Sequence, residues 1–236
     1  MTDALLLPQN SMAWVVINPL SGTDHGIATW FHAHLTRTFA AVLRVFAEFG
    51  SGEWIALVLA CLVLFFIWKR WWPSLVTLVV AVPGGMLLNE WLKLAVHRQR
   101  PFVAGPFVDW SGYSFASGHT IGATLLYGQL LLFVMPALKT RNWRILTTSG
   151  AVLLIAVVGF SRIALGAHFL TDVLAGIILG IAWLLVCFVV VRRMHQRNFR
   201  SAAVEAFPAL EALSVSEAVL APVEQPIQQL RIPKAD

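Results

Sequence analysis

The sequence predicts an all-α integral membrane protein, a bundle of about five transmembrane helices with an amphipathic interfacial helix in front. Three observations carry this. Of 236 residues, 58% are apolar and only 12% charged, and the mean hydropathy of +0.74 lies far from that of a soluble domain. The chain holds five apolar runs near the length of about 20 residues that spans a bilayer. The basic residues gather at the ends of those runs, as membrane topology places them. The net charge of +5 therefore points to membrane lipids and gives no reason to expect nucleic acid.

Residues 1–22 are mixed in character, with Pro8 and Pro19 as breakers. The run Ala13–Leu20 is too short to cross alone, although a re-entrant pass by residues 4–20 would make a sixth element. No basic region precedes a long apolar core, so no cleaved signal peptide is expected. From Asp24 to Glu48 the pattern is helical and two-faced. Ile27, Trp30, Phe31, Leu35, Phe39, Val42, Leu43 and Phe46 recur at helical spacing, with His32, Thr36 and Arg44 on other sides. Thr23 or Asp24 is the expected cap and Gly50 the expected stop. His32 and His34 stand two apart, so a helix does not turn them toward one metal.

The first span runs from Glu53 to about Trp68, and Lys69, Arg70, Trp71 and Trp72 anchor its end. The second runs from Ser74 to about Val96. Pro83, Gly84 and Gly85 interrupt it, which predicts a kink or a close helix contact. A polar loop, 98–117, precedes a third span at about Thr120–Leu138. A short basic link, 139–144, leads to a fourth at Ile145–Phe160, and the fifth is Phe169–Val191, followed by Arg192, Arg193, Arg197 and Arg200. Residues 201–236 show weak periodicity and predict a flexible tail with a short helix around 202–220. Cys61 and Cys187 sit inside apolar runs and read as small core residues, not as a disulfide. The organisation expected is an N-terminal segment 1–52, a transmembrane domain 53–194 and a cytoplasmic tail 195–236. No motif speaks to oligomeric state.

If the five spans alternate, the basic clusters at 69–70, 139–144 and 192–200 share one side, which positive charge assigns to the cytoplasm. The 98–117 and 161–168 loops and the amphipathic helix then face the periplasm or cell exterior across the inner membrane. Those two loops hold nearly all the suggestive chemistry. Lys93, Arg100 and Pro101 end the second span, Ser117, Gly118 and His119 start the third, and Ser161, Arg162, His168 and Asp172 lie between the fourth and fifth. Charged groups at a membrane edge mark function by default. His168 and Asp172 are four apart, so on a helix they share a face. A carboxylate there can accept from one ring nitrogen and aim the other outward as nucleophile or base. Arg162 offers a fork suited to phosphate, and with Lys93 and Arg100 it makes a pocket for anions. Gly118 lets a ligand approach the backbone, and a helix starting there points free N–H groups at it. Glu90, three before Lys93, reads as its structural partner. Asn89 reads as a helix–helix hydrogen bond, and His97 and Arg98 as headgroup contacts. Ser161 reads as a loop brace or a phosphate contact, and Tyr113 and Phe107 as a lipid entrance or an aromatic belt.

In order, K-x6-R-P (Lys93 to Pro101), S-G-H (117–119) and S-R-x5-H-x3-D (161–172) resemble the three-part signature of the type-2 phosphatidic-acid phosphatases, relatives of the vanadium haloperoxidases. The resemblance covers roughly residues 53–191, with one departure: Ala116 stands where the family has proline before S-G-H. It implies a lipid phosphate phosphatase that uses no metal and no cofactor. His168 would be the nucleophile, forming a phosphohistidine, and Asp172 would orient it. His119 would protonate the leaving oxygen and then activate water. Lys93, Arg100 and Arg162 would hold the phosphate oxygens, with Ser117 and the Gly118 N–H as further donors. Few carboxylates occur in the outer loops, chiefly Asp109, so no magnesium cage is expected. Undecaprenyl pyrophosphate, phosphatidylglycerol phosphate and phosphatidic acid are the substrates in view. A phosphotransferase using a polyprenyl pyrophosphate donor would carry the same motifs. A non-enzymatic lipid-phosphate binder or transporter would need the cations but not His168. Five apolar spans argue against a soluble haloperoxidase.

Overall fold

Polar side chains set where three of the helices begin in the computed structural model, which describes residues 19–102 and 110–194. Thr36 accepts from the Phe39 N–H, Ser51 from Trp54 and Thr140 from Trp143, each taking an N–H that the first turn leaves free. The helices are α1 (Ser21–His34), α2 (Arg37–Glu48), α3 (Gly52–Trp68), α4 (Trp72–Val96), α5 (Gly118–Val134), α6 (Arg141–Ala164) and α7 (Leu170–Met194). A single 3₁₀ turn, Met135–Ala137, follows α5.

Five stretches are long and apolar enough to cross a membrane: residues 37–68, α4, 118–137, α6 and α7. The protein is a multi-pass, all-helical membrane protein. The chain divides into two units, Met1–Val189 and Val190–Asp236; the core and site below belong to the first. The expected tail at 195–236, the 4–20 pass, and Phe107 and Asp109 lie outside the described residues.

Helix α5 is the central element, packed against α3, α4 and α6. Its Ile121, Leu125 and Leu126 are fully buried and meet Leu78, Ala81 and Val82 of α4 and Leu184 of α7. The interruption expected in the second span takes the form of a close contact. Pro83 stands inside an unbroken α4, and a Cβ at Gly85 would stand 2.5 Å from Leu125 and 2.9 Å from Trp183. Trp183 donates to the Ala81 carbonyl at 3.0 Å, two residues from the Val79 carbonyl whose helix donor Pro83 removes. On α7, Gly176 and Gly180 bring the backbone against Ser117, Thr120 and Thr124, the close approach that small residues four apart permit between membrane helices.

The amphipathic stretch is not one helix. It breaks at Leu35–Thr36, because a threonine in extended conformation caps a new helix better than it continues the old one. Ala40, Leu43 and Ala47 of α2 pack on Ala164 and Leu165, with Phe31, Leu35 and Trp110 around them. Phe39, Val42 and Phe46 stay exposed. Asp24 is not the cap: α1 begins at Ser21, and the Asp24 side chain is buried. At the following turn, Tyr127 donates to the Phe49 carbonyl at 2.7 Å and accepts from Trp54 at 3.1 Å. A Cβ at Gly50 would stand 2.6 Å from the His119 carbonyl oxygen. Both cysteines are free, but only Cys187 is buried; Cys61 lies on the outer surface of α3.

Candidate active site

The three motifs meet at one end of the bundle. Lys93 ends α4, Gly118 and His119 open α5, and Arg162 lies in the last turn of α6, which runs on to Ala164 through what the sequence reads as a loop. A turn through Gly166, at φ 70°, returns the chain to α7. The Ala167 and His168 N–H groups both donate to the Arg162 carbonyl, and the turn holds His168 directly before α7. Lys69, Arg70, Lys139, Arg141 and Arg144 belong to the connections at the opposite end.

His168 is buried. Its Nδ1 lies 2.8 Å from the Ser114 carbonyl oxygen. A carbonyl can only accept, so Nδ1 carries the proton and Nε2 keeps its lone pair. Nε2 lies 3.4 Å from an Arg100 Nη1. Burial pushes the His168 pKa down to about 4, a fall that the nearby Asp172 carboxylate only partly offsets. Arg100 is wrapped in carbonyls: Nη1 donates to Ala167 at 3.0 Å, Nη2 to Ser111 at 2.9 Å and Nε to Gly112 at 3.1 Å. Burial lowers its pKa, and Asp172 acts in the opposite sense.

Asp172 is wholly buried and fully engaged. It accepts from the Ser114 hydroxyl, from the Phe169 N–H at 2.9 Å and from Arg98 Nη1 at 2.5 Å. The expected direct bond to His168 is absent; the carboxylate stands 3.9 Å from Nδ1, beyond hydrogen-bond range. Arg98 corrects a second expectation. It is no headgroup contact, since its side chain is only 11% exposed and bridges Asp172 to Asp24, whose Oδ2 lies 2.8 Å from Nη2. Thr171 closes the network, accepting from Arg98 at 2.7 Å and donating to Asp24 through both its hydroxyl, at 2.5 Å, and its N–H, at 3.1 Å.

His119 stands at the second position of α5, within electrostatic range of Arg162, His168, Lys93 and Arg100. Lys93 pairs with Glu90 at 2.7 Å, as expected, and its Nζ borders the space that Gly118 leaves open. Ser117 is buried, accepts from Thr120 at 3.0 Å, and donates its N–H to the Asp172 carbonyl at 3.2 Å. Arg162 is 8% exposed, lies over the Trp110 ring at 5.1 Å, and has an Nε with no hydrogen-bond partner. Ser161 donates to the Val158 carbonyl within its own helix, so it is a brace. Asn89 makes no helix–helix hydrogen bond. His97 packs its ring against Tyr113 at 4.4 Å. All eight sequence-derived site residues thus border one region. Three guanidinium or ammonium groups, a helix N-terminus and a neutral imidazole whose Nε2 lone pair faces Arg100 suit an oxyanion and an attack upon it.

Sequence reasoning missed Asp24, Arg98, Ser114 and Thr171. A lone carboxylate between apolar helical positions, and a second arginine two before Arg100, were the available hints.

Comparison with known proteins gives the family of the chain. The chain is 37% identical over 119 residues to phosphatidylglycerophosphatase B of Bacillus subtilis (strain 168), which covers 49% of this chain and 57% of that protein. It is 28% identical over 148 residues to lipid A 4'-phosphatase of Porphyromonas gingivalis, covering 56% and 58%. The chain thus spans under two thirds of the length of these curated relatives. Among solved structures, a transmembrane PAP2-type phosphatidylglycerolphosphate phosphatase from Bacillus subtilis superposes with a TM-score of 0.65 at 24% identity, over 80% of this chain and 94% of that one. Aquifex aeolicus LpxE gives 0.55 at 22% identity, over 70% and 94%. Both share the fold. Residues 74–196, just over half of the chain and including all three motifs, match the PAP2 superfamily; the chain belongs to that superfamily.

Proposed function

We propose that this protein is a membrane lipid phosphate phosphatase that hydrolyses a phosphomonoester or diphosphate of a lipid through a phosphohistidine. The observation that carries the reading is the state of His168: its Nδ1 proton is held by the Ser114 carbonyl, and its Nε2 lone pair faces Arg100. That nitrogen attacks the terminal phosphorus, and its bond to the leaving oxygen (the lipid ester oxygen of a monoester, the bridging oxygen of a diphosphate) breaks as His119 protonates that oxygen. His119, now neutral, takes a proton from water, whose oxygen attacks phosphorus; the P–N bond breaks and inorganic phosphate leaves. Lys93, Arg100 and Arg162 hold the oxygens that carry transition-state charge, with Ser117 and the Gly118 N–H beside them. Asp172 already accepts from Arg98, Ser114 and Phe169, which supports chemistry that draws on no metal or cofactor.

Phosphatidylglycerol phosphate leads the candidate substrates because of what two of the matched relatives are called; phosphatidic acid and undecaprenyl pyrophosphate follow. Residues 53–194 carry the chemistry, with residues before 53 bracing them. The basic connections at the opposite end support a cytoplasmic placement there and a site on the outer face of the inner membrane.

The test is phosphate release by detergent-purified protein from those three lipids with EDTA present, comparing wild type with His168→Ala. Release by the wild type alone supports the reading and ranks the substrates. Equal release by both overturns the nucleophile. Release only when a hydroxylated acceptor lipid is added and becomes phosphorylated identifies a transferase, and tight lipid-phosphate binding without turnover in any case identifies a binder.

A further inference from the structure

Asn89 lies on α4 one turn before Lys93. Its side chain is fully buried, and neither its Nδ2 nor its Oδ1 has a hydrogen-bond partner. Buried polar groups are almost always satisfied, and an amide with both ends unpaired bears its whole desolvation cost.

The surroundings of the amide account for it. A Cβ at Gly118 would stand 3.6 Å from Asn89 Nδ2 and 3.4 Å from Lys93 Nζ. The two nitrogens, four residues apart on one helix face, therefore flank a single small volume that Gly118 leaves open. That volume lies at the first turn of α5, where backbone N–H groups lack helix partners. A neutral donor, a cation and a helix N-terminus all border it.

We propose that Asn89 is a further substrate-contacting residue: Nδ2 donates to a phosphate oxygen held beside Lys93 and Gly118, and Oδ1 accepts from a hydroxyl of the same substrate. This rests on reading the site as a lipid-phosphate site. The cations answer the substrate's charge, whereas the amide answers its pattern of donors and acceptors. A ligand presenting both an acceptor oxygen and an O–H, such as a singly protonated phosphate or a phosphate beside a headgroup hydroxyl, satisfies both ends. A fully ionised phosphate leaves Oδ1 unpaired, so the amide selects by protonation and headgroup.

The experiment uses the full-length protein with Asn89→Leu, Asn89→Asp and, as control, His168→Ala. It measures the unfolding temperature, kcat and KM on phosphatidylglycerol phosphate and phosphatidic acid, and inorganic phosphate binding by calorimetry. Asn89→Leu is expected to unfold at the same or a higher temperature, because an apolar isostere removes the unpaired amide. It should also lose at least about tenfold in kcat/KM and in phosphate affinity. Asn89→Asp, which sets a carboxylate against the phosphate, should lose more. A larger loss on phosphatidylglycerol phosphate than on phosphatidic acid assigns Oδ1 to a headgroup hydroxyl, and equal losses assign it to the phosphoryl O–H. Wild-type activity and phosphate affinity in Asn89→Leu overturn the proposal, as does a loss matched by a lowered unfolding temperature in both Asn89 variants. No phosphate release from either lipid by folded wild-type protein overturns the phosphatase reading separately, and the phosphate affinity of the Asn89 variants still tests Asn89.

Discussion

Asp172 stops 3.9 Å short of His168 Nδ1, and the Ser114 carbonyl takes the imidazole proton at 2.8 Å. Ser114 also donates its hydroxyl to Asp172. The carboxylate thus acts on the proposed nucleophile in two ways, through its field and through the backbone of Ser114, which it holds in position. Asp172→Asn removes the field and Ser114→Ala removes the brace. The first is expected to lower kcat by about 10²-fold with KM little changed, the second by less than about tenfold. Steady-state kinetics on one lipid substrate separates the two; equal effects would mean the brace dominates.

Asp24 and Arg98 form an ion pair at 2.8 Å with side chains 0% and 11% exposed. Removing one partner of such a pair strands the other. Asp24→Ala is expected to destabilise the protein by about 3 kcal/mol, the low end for a broken buried pair because Arg98 keeps Asp172. Arg98→Ala, which leaves two buried carboxylates without their cation, is expected to cost more. Thermal unfolding in detergent reads both. Unchanged unfolding in Asp24→Ala would show that the pair is not formed in the membrane-solubilised protein.

Burial holds the His168 pKa at about 4, against about 6.5 in an unfolded chain. Between those values the unfolded state binds a proton that the folded state refuses, so stability rises with pH. The contribution is complete above about pH 6.5 and fades as pH falls toward 4, a difference on the order of 3 kcal/mol. Unfolding temperatures between pH 4 and 7 should fall on the acid side, and less so in His168→Asn. For the same reason the nucleophile stays neutral in the free enzyme down to about pH 5. An acid limb in kcat/KM above that pH is therefore expected to follow the ionisation of the substrate's phosphate, and to move when a substrate of different phosphate pKa is used.

A methyl group at Gly50 would meet the His119 carbonyl oxygen and Val158 Cγ1, both at 2.6 Å. One obstacle is backbone, so a side-chain shift cannot relieve the clash. Gly50→Ala is expected to cost about 1–3 kcal/mol, as overpacking does, and to lower kcat by moving His119. Gly52→Ala, where a Cβ meets nothing within 4 Å, is the control for both readouts.

Much of this architecture was legible in the residues. Apolar runs bounded by Lys69–Arg70, 139–144 and Arg192–Arg193 mark all five spans, because the bilayer imposes a length and an edge that composition must obey. The three motifs bring Lys93, Arg100, His119, Arg162, His168 and Asp172 together because each sits at the same end of its span. Asp24 and Arg98 were illegible for a different reason. Their partnership joins positions 74 residues apart through side-chain geometry alone, with no period or spacing to announce it. The break at Thr36 shows a similar limit: apolar recurrence continues smoothly from Ile27 to Phe46 while the backbone changes direction beneath it.

The tie between Asp24 and Thr171, donated from both hydroxyl and backbone, also fixes an order of events during synthesis. Asp24 leaves the ribosome first, and its partners follow 74 and 147 residues later. Arg98 can meet the Asp24 carboxylate once α4 is made, but the two Thr171 donors wait for the last span. The network at the site is therefore closed between α1, made before the five spans, and α7, the last of them. An incomplete chain lacks Thr171 and Asp172, so the bridge from Asp24 through Arg98 to Asp172 itself reports that the last span is in place.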